Sequence, residues 1–91
     1  MNGDRAPRIR AALEQAFGAA EIEVIDDSAA HAGHAGAREG GHFRVRIVSE
    51  RFAGRPTLER HRLVYDALAS LMGGGGIHAL AIVARAPGEH A

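Results

Sequence analysis

The sequence predicts a small α+β domain with the element order α-β-β-α-β and a three-stranded mixed sheet with its helices on one face. Two segments carry apolar residues at the three-to-four spacing of a helix. Three others have the patterns of strands, which are alternating polar and apolar residues or a short apolar run. The 91 residues make a single domain, with a predicted core over about 7–86 and short tails. A chain of this size buries only roughly 60–65% of its unfolded surface, so the core is modest.

The first helix is predicted over 7–17. Ile9, Leu13 and Phe17 recur at helical spacing and form one apolar stripe. Gly18 follows the last apolar residue of the stripe, which is the position where glycine commonly ends a helix.

Two strands follow, over 21–26 and 42–49, and alternation assigns their faces. Ile22 and Val24 share one face of the first strand. The segment 27–40 between the strands has no periodicity and is rich in Ala, Gly and His, which is long for a hairpin connection and typical of a functional loop. In the second strand, Phe43, Val45 and Ile47 are predicted to face inward, and Arg44 and Arg46 outward.

A second helix and a last strand complete the order. Residues 51–56 are predicted to form a turn, after which Thr57 can cap a helix that runs to about Met72. The glycines at 73–76 stop this helix, and the strand Ile77–Ala84 is apolar enough to be central or well covered. The predicted buried stripe of the second helix consists of Leu58, Val64 and Leu68, with Leu71 or Met72.

This topology has a consequence for the histidines. A helix joins the second and third strands, so the right-handed crossover rule makes them parallel neighbours. The loop with His31 and His34 then leaves the sheet at the end where His78 begins the third strand. The loop must span roughly 10 Å, which its length permits, so two imidazoles can meet there and form a metal site. His42 opens the second strand at the same end and can orient a ligand.

Composition excludes several classes of chemistry. The chain has no cysteine, which rules out disulfides, thiolate metal sites and thiol catalysis. Asp26 and Asp27 are adjacent at a strand end and point in opposite directions, so they do not converge for acid–base work. We therefore expect no enzymatic activity. No stretch approaches the length of a membrane span, and we expect a cytoplasmic protein without a membrane partner.

Charge is balanced overall but unevenly distributed. The formal net charge is zero, yet the segment from His42 to Arg62 is rich in arginine and locally positive. Such a segment can attract phosphate or an acidic partner, or can simply form a solvated face. The arginines in question are residues 44, 46, 51, 55, 60 and 62.

Several runs of residues together resemble the BolA family. Their order and spacing cover the chain from about Ile9 to Pro87, and the implied fold is similar to the class II KH arrangement. The runs are Asp27-Ser28-Ala-Ala-His31, His42-Phe43-Arg-Val-Arg-Ile47-Val48-Ser49, Phe52-Ala-Gly54, Arg60-His61-Arg62-Leu-Val-Tyr65 and Ile77-His78-Ala79-Leu80-Ala81.

The resemblance implies a non-enzymatic partner of monothiol glutaredoxin in iron–sulfur cluster assembly, cluster trafficking or iron homeostasis. In such a heterodimer a 2Fe-2S cluster is shared with glutaredoxin and glutathione, and the isolated protein is expected to hold none. By the same resemblance, His78 is one iron ligand, and the loop ligand is His31 or its competitor His34. The protein without cluster is expected to be a monomer or a weak homodimer.

An alternative function is a KH-like DNA-binding transcriptional regulator, and cluster binding can coexist with it as a switch. Its phosphate contacts would be Arg55, Arg60 and Arg62, although the neutral overall charge limits the expected affinity. In the glutaredoxin interpretation, Arg60, His61 and Arg62 are instead candidates for the surface that docks the partner.

Overall fold

The predicted element order is confirmed. A computed structural model describes residues 5–18, 20–27, 41–72 and 77–89. For His78 it describes the backbone alone. Single turns of 3-10 helix follow β2 and α2, at Glu50–Phe52 and Ala69–Leu71. The main elements are α1 (Arg5–Phe17), β1 (Glu21–Asp26), β2 (Gly41–Val48), α2 (Thr57–Ala67) and β3 (Ile77–Arg85).

The sheet is mixed, with β2 in the centre. β1 pairs with β2 antiparallel, and Asp26 lies opposite Phe43. β3 pairs with β2 in parallel, as the helical crossover requires, and Gly41 lies opposite Ile77. In the described part of the chain β3 is therefore an edge strand, and its apolar composition reflects Leu80 and Ile82, which pack against the core on one face.

Both helices contribute to one core on the same face of the sheet. Ile9 and Leu13 of α1 and Val64 of α2 are buried with the inward residues of β2. The predicted alternation of β2 is confirmed: Phe43, Val45 and Ile47 are buried, and Arg44 and Arg46 are exposed on the opposite face. The rings of Phe17 and Phe52 close one side of the core, with their centroids 5.2 Å apart.

The helix boundaries differ from the prediction at two places. α1 begins at Arg5, before the predicted start, and ends as predicted before Gly18, whose φ of 63° is left-handed. α2 ends at Ala67 and does not reach Met72. Leu68 leaves the helical backbone region at φ −106° and ψ 12°, and the chain tightens into the 3-10 turn that follows.

The start of α2 also corrects the sequence analysis. Pro56, and not Thr57, is the N-cap residue, and it makes no side-chain cap hydrogen bond because proline has no side-chain acceptor. Leu58 is wrongly placed in the buried stripe, since it is 63% exposed. Arg51 lies in the 3-10 turn Glu50–Phe52, so the predicted turn over 51–56 is helical at its start.

Gly41 is buried at the start of β2 because the ring of Phe43 occupies the space of a side chain. A Cβ atom at this position would overlap Phe43 Cε2 and lie 2.8 Å from Cζ. The first residue of the central strand is therefore restricted to glycine by a neighbouring ring and not by its own backbone angles.

We predict that Gly41→Ala lowers the free energy of unfolding by about 1–3 kcal/mol, the usual cost of overpacking. In a Phe43→Leu background the same substitution should cost clearly less, because the obstructing ring is gone. Urea unfolding of the four proteins measures both values. An undiminished cost in the Phe43→Leu background would contradict this account.

Candidate metal centre

Three strand ends meet at one end of the sheet. β1 ends at Asp26, and β2 and β3 begin beside it at Gly41 and Ile77. The backbone N–H of Asp27 donates to the carbonyl oxygen of His42 at 2.7 Å, which continues the ladder by one bond. Asp27 and Gly41, the described residues on either side of the segment 28–40, thus lie beside the start of β3, as the sequence predicts.

His78 occupies an irregular position in the ladder between β2 and β3. Gly41 lies opposite Ile77, whereas the next residue, His42, lies opposite Ala79. β3 therefore carries one extra residue at this point, and that residue is His78. Bulges of this kind redirect a side chain and are frequent beside functional sites.

An open groove begins at the same end and lies on the face of the sheet away from the helices. Its volume is about 280 Å³. Arg44 forms one wall, where its Nε donates to Asp27 Oδ2 at 2.6 Å and its Nη2 to Oδ1 at 3.3 Å. The lining residues are Asp27, His42, Phe43, Arg44, Ala79, Leu80 and Ala81.

The predicted iron ligands are placed to different extents. The backbone of His78 lies at the bulge, and half-buried His42 lines the groove beside it. His31 and His34 lie outside the described residues, as does the side chain of His78. Within the described ranges, no group of three or more His, Asp or Glu side chains is placed to hold a metal ion.

The ion pair between Arg44 and Asp27 is a feature that sequence reasoning missed. Alternation places Arg44 on the open face, but the pairing partner follows only from the register, which sets Arg44 opposite Ile25, two residues before Asp27. The pair is largely exposed, with 59% and 29% of the side chains accessible, so its free energy is small. The pair joins the side chain of the residue that precedes the segment 28–40 to the middle of β2.

The arginines proposed for docking or phosphate contacts have different surroundings. Arg55 donates to the carbonyl oxygen of Arg51 at 2.9 Å and to Glu59 at 3.2 Å. Arg62 is exposed and, within the described ranges, makes no ion pair. His61 is half-buried beside it.

Arg60 is the most enclosed of these arginines. Its side chain is 12% exposed, and its Nη1 and Nη2 hold the carboxylate of Glu89 at 2.6 and 2.9 Å. These hydrogen bonds, and one from the N–H of Ala86, lower the pKa of Glu89 from 4.5 to about 2. Arg60 reaches a carboxylate near the end of the chain, which no local pattern in the sequence indicates.

The chain belongs to the BolA-like family. The family model described as BolA-like protein matches residues 13–89, which is most of the chain. The mouse protein named BolA-like protein 1 is 47% identical over 81 residues, covering 89% of this chain and 57% of its own length. SufE-like protein 1, chloroplastic/mitochondrial, of Arabidopsis thaliana is 45% identical over 93 residues, covering 96% of this chain and 25% of its own length.

Solved structures agree with the fold. The BolA domain of SufE1 from Arabidopsis thaliana is similar with a TM-score of 0.82 and 48% identity, covering 97% of this chain and 98% of that one. BolA1 from the same plant gives a TM-score of 0.79 and 39% identity, covering 96% of each chain. The two curated relatives are longer than this chain, which spans only a quarter of one and little more than half of the other.

Neither α1 nor α2, nor any other helical turn in the described ranges, has the length and apolar composition that a membrane-spanning helix needs.

We predict that Glu89 titrates at about 2 and not near 4.5, which NMR of its carboxyl carbon can measure. Because the folded-state pKa is depressed, the stability from this contact is present above the ordinary pKa. It is lost as pH falls from 4.5 toward 2. Arg60→Gln should return the pKa toward its ordinary value. Titration of Glu89 near 4.5 in the unaltered protein would contradict the contact.

Proposed function

We propose that this chain is a non-enzymatic partner of a monothiol glutaredoxin. In this proposal the two proteins share a 2Fe-2S cluster, and the heterodimer serves cluster assembly, trafficking or iron homeostasis. His78 supplies one iron ligand, and His31 or His34 supplies the other. The observation that carries the proposal is the bulge at His78, near Asp27 and Gly41, which flank the segment that contains the other two histidines.

The donor chemistry of the chain supports sharing. Imidazole is a suitable ligand for iron, and the thiolates that usually hold an iron–sulfur cluster are absent because the sequence contains no cysteine. Two imidazoles would complete the terminal ligands of one iron, beside the two bridging sulfides, so the terminal ligands of the other iron must come from outside the chain. Glutaredoxin and glutathione each provide a thiolate, which explains why the isolated protein is not expected to hold a cluster.

The open groove supports docking at the same end of the sheet. Arg44 and Asp27 stand beside it as a fixed ion pair, and Ala79 and Ala81 provide a shallow, small-residue floor. A partner can therefore approach the start of β3 closely. The helices lie on the other face and do not obstruct this approach.

The surroundings of the arginines favour this proposal over DNA binding. Arg55 and Arg60 both have carboxylate partners within the chain, at Glu59 and Glu89. The overall charge is also zero, so the electrostatic attraction for a polyanion is weak. DNA binding through Arg62 remains the alternative if no complex with glutaredoxin forms.

We predict a stable heterodimer with a new cluster spectrum when the protein is mixed anaerobically with a cluster-loaded monothiol glutaredoxin. Visible circular dichroism reports the cluster environment, and size exclusion reports the complex. His78→Ala should alter the spectrum because it removes an iron ligand. Of His31→Ala and His34→Ala, only the variant that lacks the loop ligand should do the same.

His90→Ala is the matched control, since it removes an imidazole from the tail. A complex whose spectrum is unchanged in all three ligand variants would mean docking without ligation and would contradict the proposal. Far-UV circular dichroism of each variant confirms that the fold is retained.

We also predict that acid releases the cluster. An imidazole must be unprotonated to bind iron, so the cluster signal should fall as pH drops through about 6.5 or somewhat below. The glutaredoxin cluster without this partner, held by thiolates, serves as the control over the same pH range. Identical acid sensitivity of the two clusters would contradict histidine ligation.

A further inference from the structure

The carboxylate of Glu89 is held by donors from two separate elements. A turn of Ala86, Pro87, Gly88 and Glu89 follows β3, with Glu89 N–H donating to Ala86 O at 3.1 Å and Gly88 at φ 88°. Within this turn, Ala86 N–H donates to Glu89 Oε1 at 2.9 Å. Arg60, from α2, completes the binding with a two-pronged contact to both carboxylate oxygens.

The guanidinium of Arg60 is positioned independently of Glu89. Its Nε donates to the carbonyl oxygen of Arg55 at 2.8 Å, and its Nη1 donates to that of Ala84 at 3.0 Å. Both acceptors are backbone atoms of ordered segments. The guanidinium would therefore keep its place and orientation without the carboxylate, which makes it a preorganised anion receptor.

A second arginine adds positive charge beside the first. Arg85 lies close enough to contribute to the lowered pKa of Glu89, and its Nη1 donates to Ala84 O at 3.3 Å. The Nε of Arg85 is buried and has no hydrogen-bond partner among the described residues. We define the tail anion site as the guanidinium groups of Arg60 and Arg85 with the N–H of Ala86.

The fixed and the removable parts of this arrangement differ in burial. Ala86 is 5% exposed and belongs to the core, so its N–H remains in place. The side chain of Glu89, the last residue of the turn, is 39% exposed. Departure of Glu89 breaks its hydrogen bonds with Arg60 and the Ala86 N–H, and it leaves the positive charges of Arg60 and Arg85 without a carboxylate beside them.

We propose that the tail anion site is a carboxylate-binding site that Glu89 occupies from within the chain, and that an acidic side chain of a docked protein partner replaces it. The inference rests on the proposed heterodimer with glutaredoxin, and it adds the Arg60–Arg62 surface, a docking candidate in the sequence, to the contacts at the open groove. A carboxylate is the expected ligand because the donors already match its two oxygens.

Another carboxylate must exceed a minimum effective concentration to replace Glu89 in the tail anion site. Glu89 competes at an effective concentration on the order of millimolar or higher, as a group on a short tether does. A free carboxylate at lower concentration therefore does not enter. A carboxylate on a partner that is already docked elsewhere gains the same advantage and can replace Glu89.

The first test titrates acetate against Glu89→Gln, with Glu59→Gln as the matched control. Both variants remove one negative charge from a glutamate paired with arginine, but only the first empties the tail anion site. Sodium chloride at equal ionic strength accounts for general salt effects. The amide signal of Ala86 and the Nε–H signal of Arg60 report binding by NMR.

We expect saturable shifts for Glu89→Gln at acetate concentrations roughly tenfold or more below those needed by the unaltered protein, because its site is open. Adding Arg60→Lys to Glu89→Gln should abolish the shift of the Ala86 amide, the reporter that this variant keeps, since lysine keeps the charge but lacks the two-pronged geometry. A response of Glu89→Gln no larger than that of Glu59→Gln, or equal to that with chloride, would overturn the site.

The second test measures glutaredoxin affinity by calorimetry. Tighter binding to Glu89→Gln than to Glu59→Gln supports replacement by a partner carboxylate, whereas equal binding overturns the replacement. The acetate titration uses this chain alone, without cluster or partner. A negative acetate titration would therefore not contradict the proposed function. Likewise, failure to form the heterodimer would not contradict a positive acetate titration.

Discussion

The parallel pairing of β2 with β3 is the constraint on which the rest of the molecule depends. Because α2 must cross over the sheet to make this pairing, both strands begin at the same end, where antiparallel β1 finishes. Asp27 and Gly41, which flank the segment 28–40, therefore lie at the end of the sheet where β3 begins, near the backbone of His78. An antiparallel β3 would place His78 at the opposite end of the sheet and separate it from the loop.

The sheet also divides the molecule into a stabilising face and a binding face. Residues such as Val45 and Ile47 pack under both helices, and burial of apolar side chains there supplies most of the stability. Arg44 and Arg46 leave the other face open for contacts. Substitutions on the open face can therefore alter binding with little cost to folding. The candidate iron site and the tail anion site are also far apart along β3. The candidate iron site is at the start of this strand, and the tail anion site is at its end.

Much of the fold was predictable from local periodicity, since alternation and helical spacing record which side chains face the core. Family membership and the mixed sheet were also predicted correctly. The exposure of Leu58 was not predicted, because helical spacing alone does not reveal whether a neighbouring element reaches far enough to cover a leucine. The pairing of Arg60 with Glu89 spans 29 residues and depends on where α2 and β3 meet, so only the structure assigns it. The ligand choice between His31 and His34 lies outside the described residues.

The most direct test of the central claim is pulsed electron–nuclear double resonance on the reduced heterodimer with glutaredoxin. Only the histidines of this chain are labelled with ¹⁵N. The account predicts strong couplings from two ¹⁵N nuclei on one iron, with one coupling lost in His78→Ala. A spectrum without strongly coupled ¹⁵N would contradict it, because the cluster would then be bound without any imidazole from this chain.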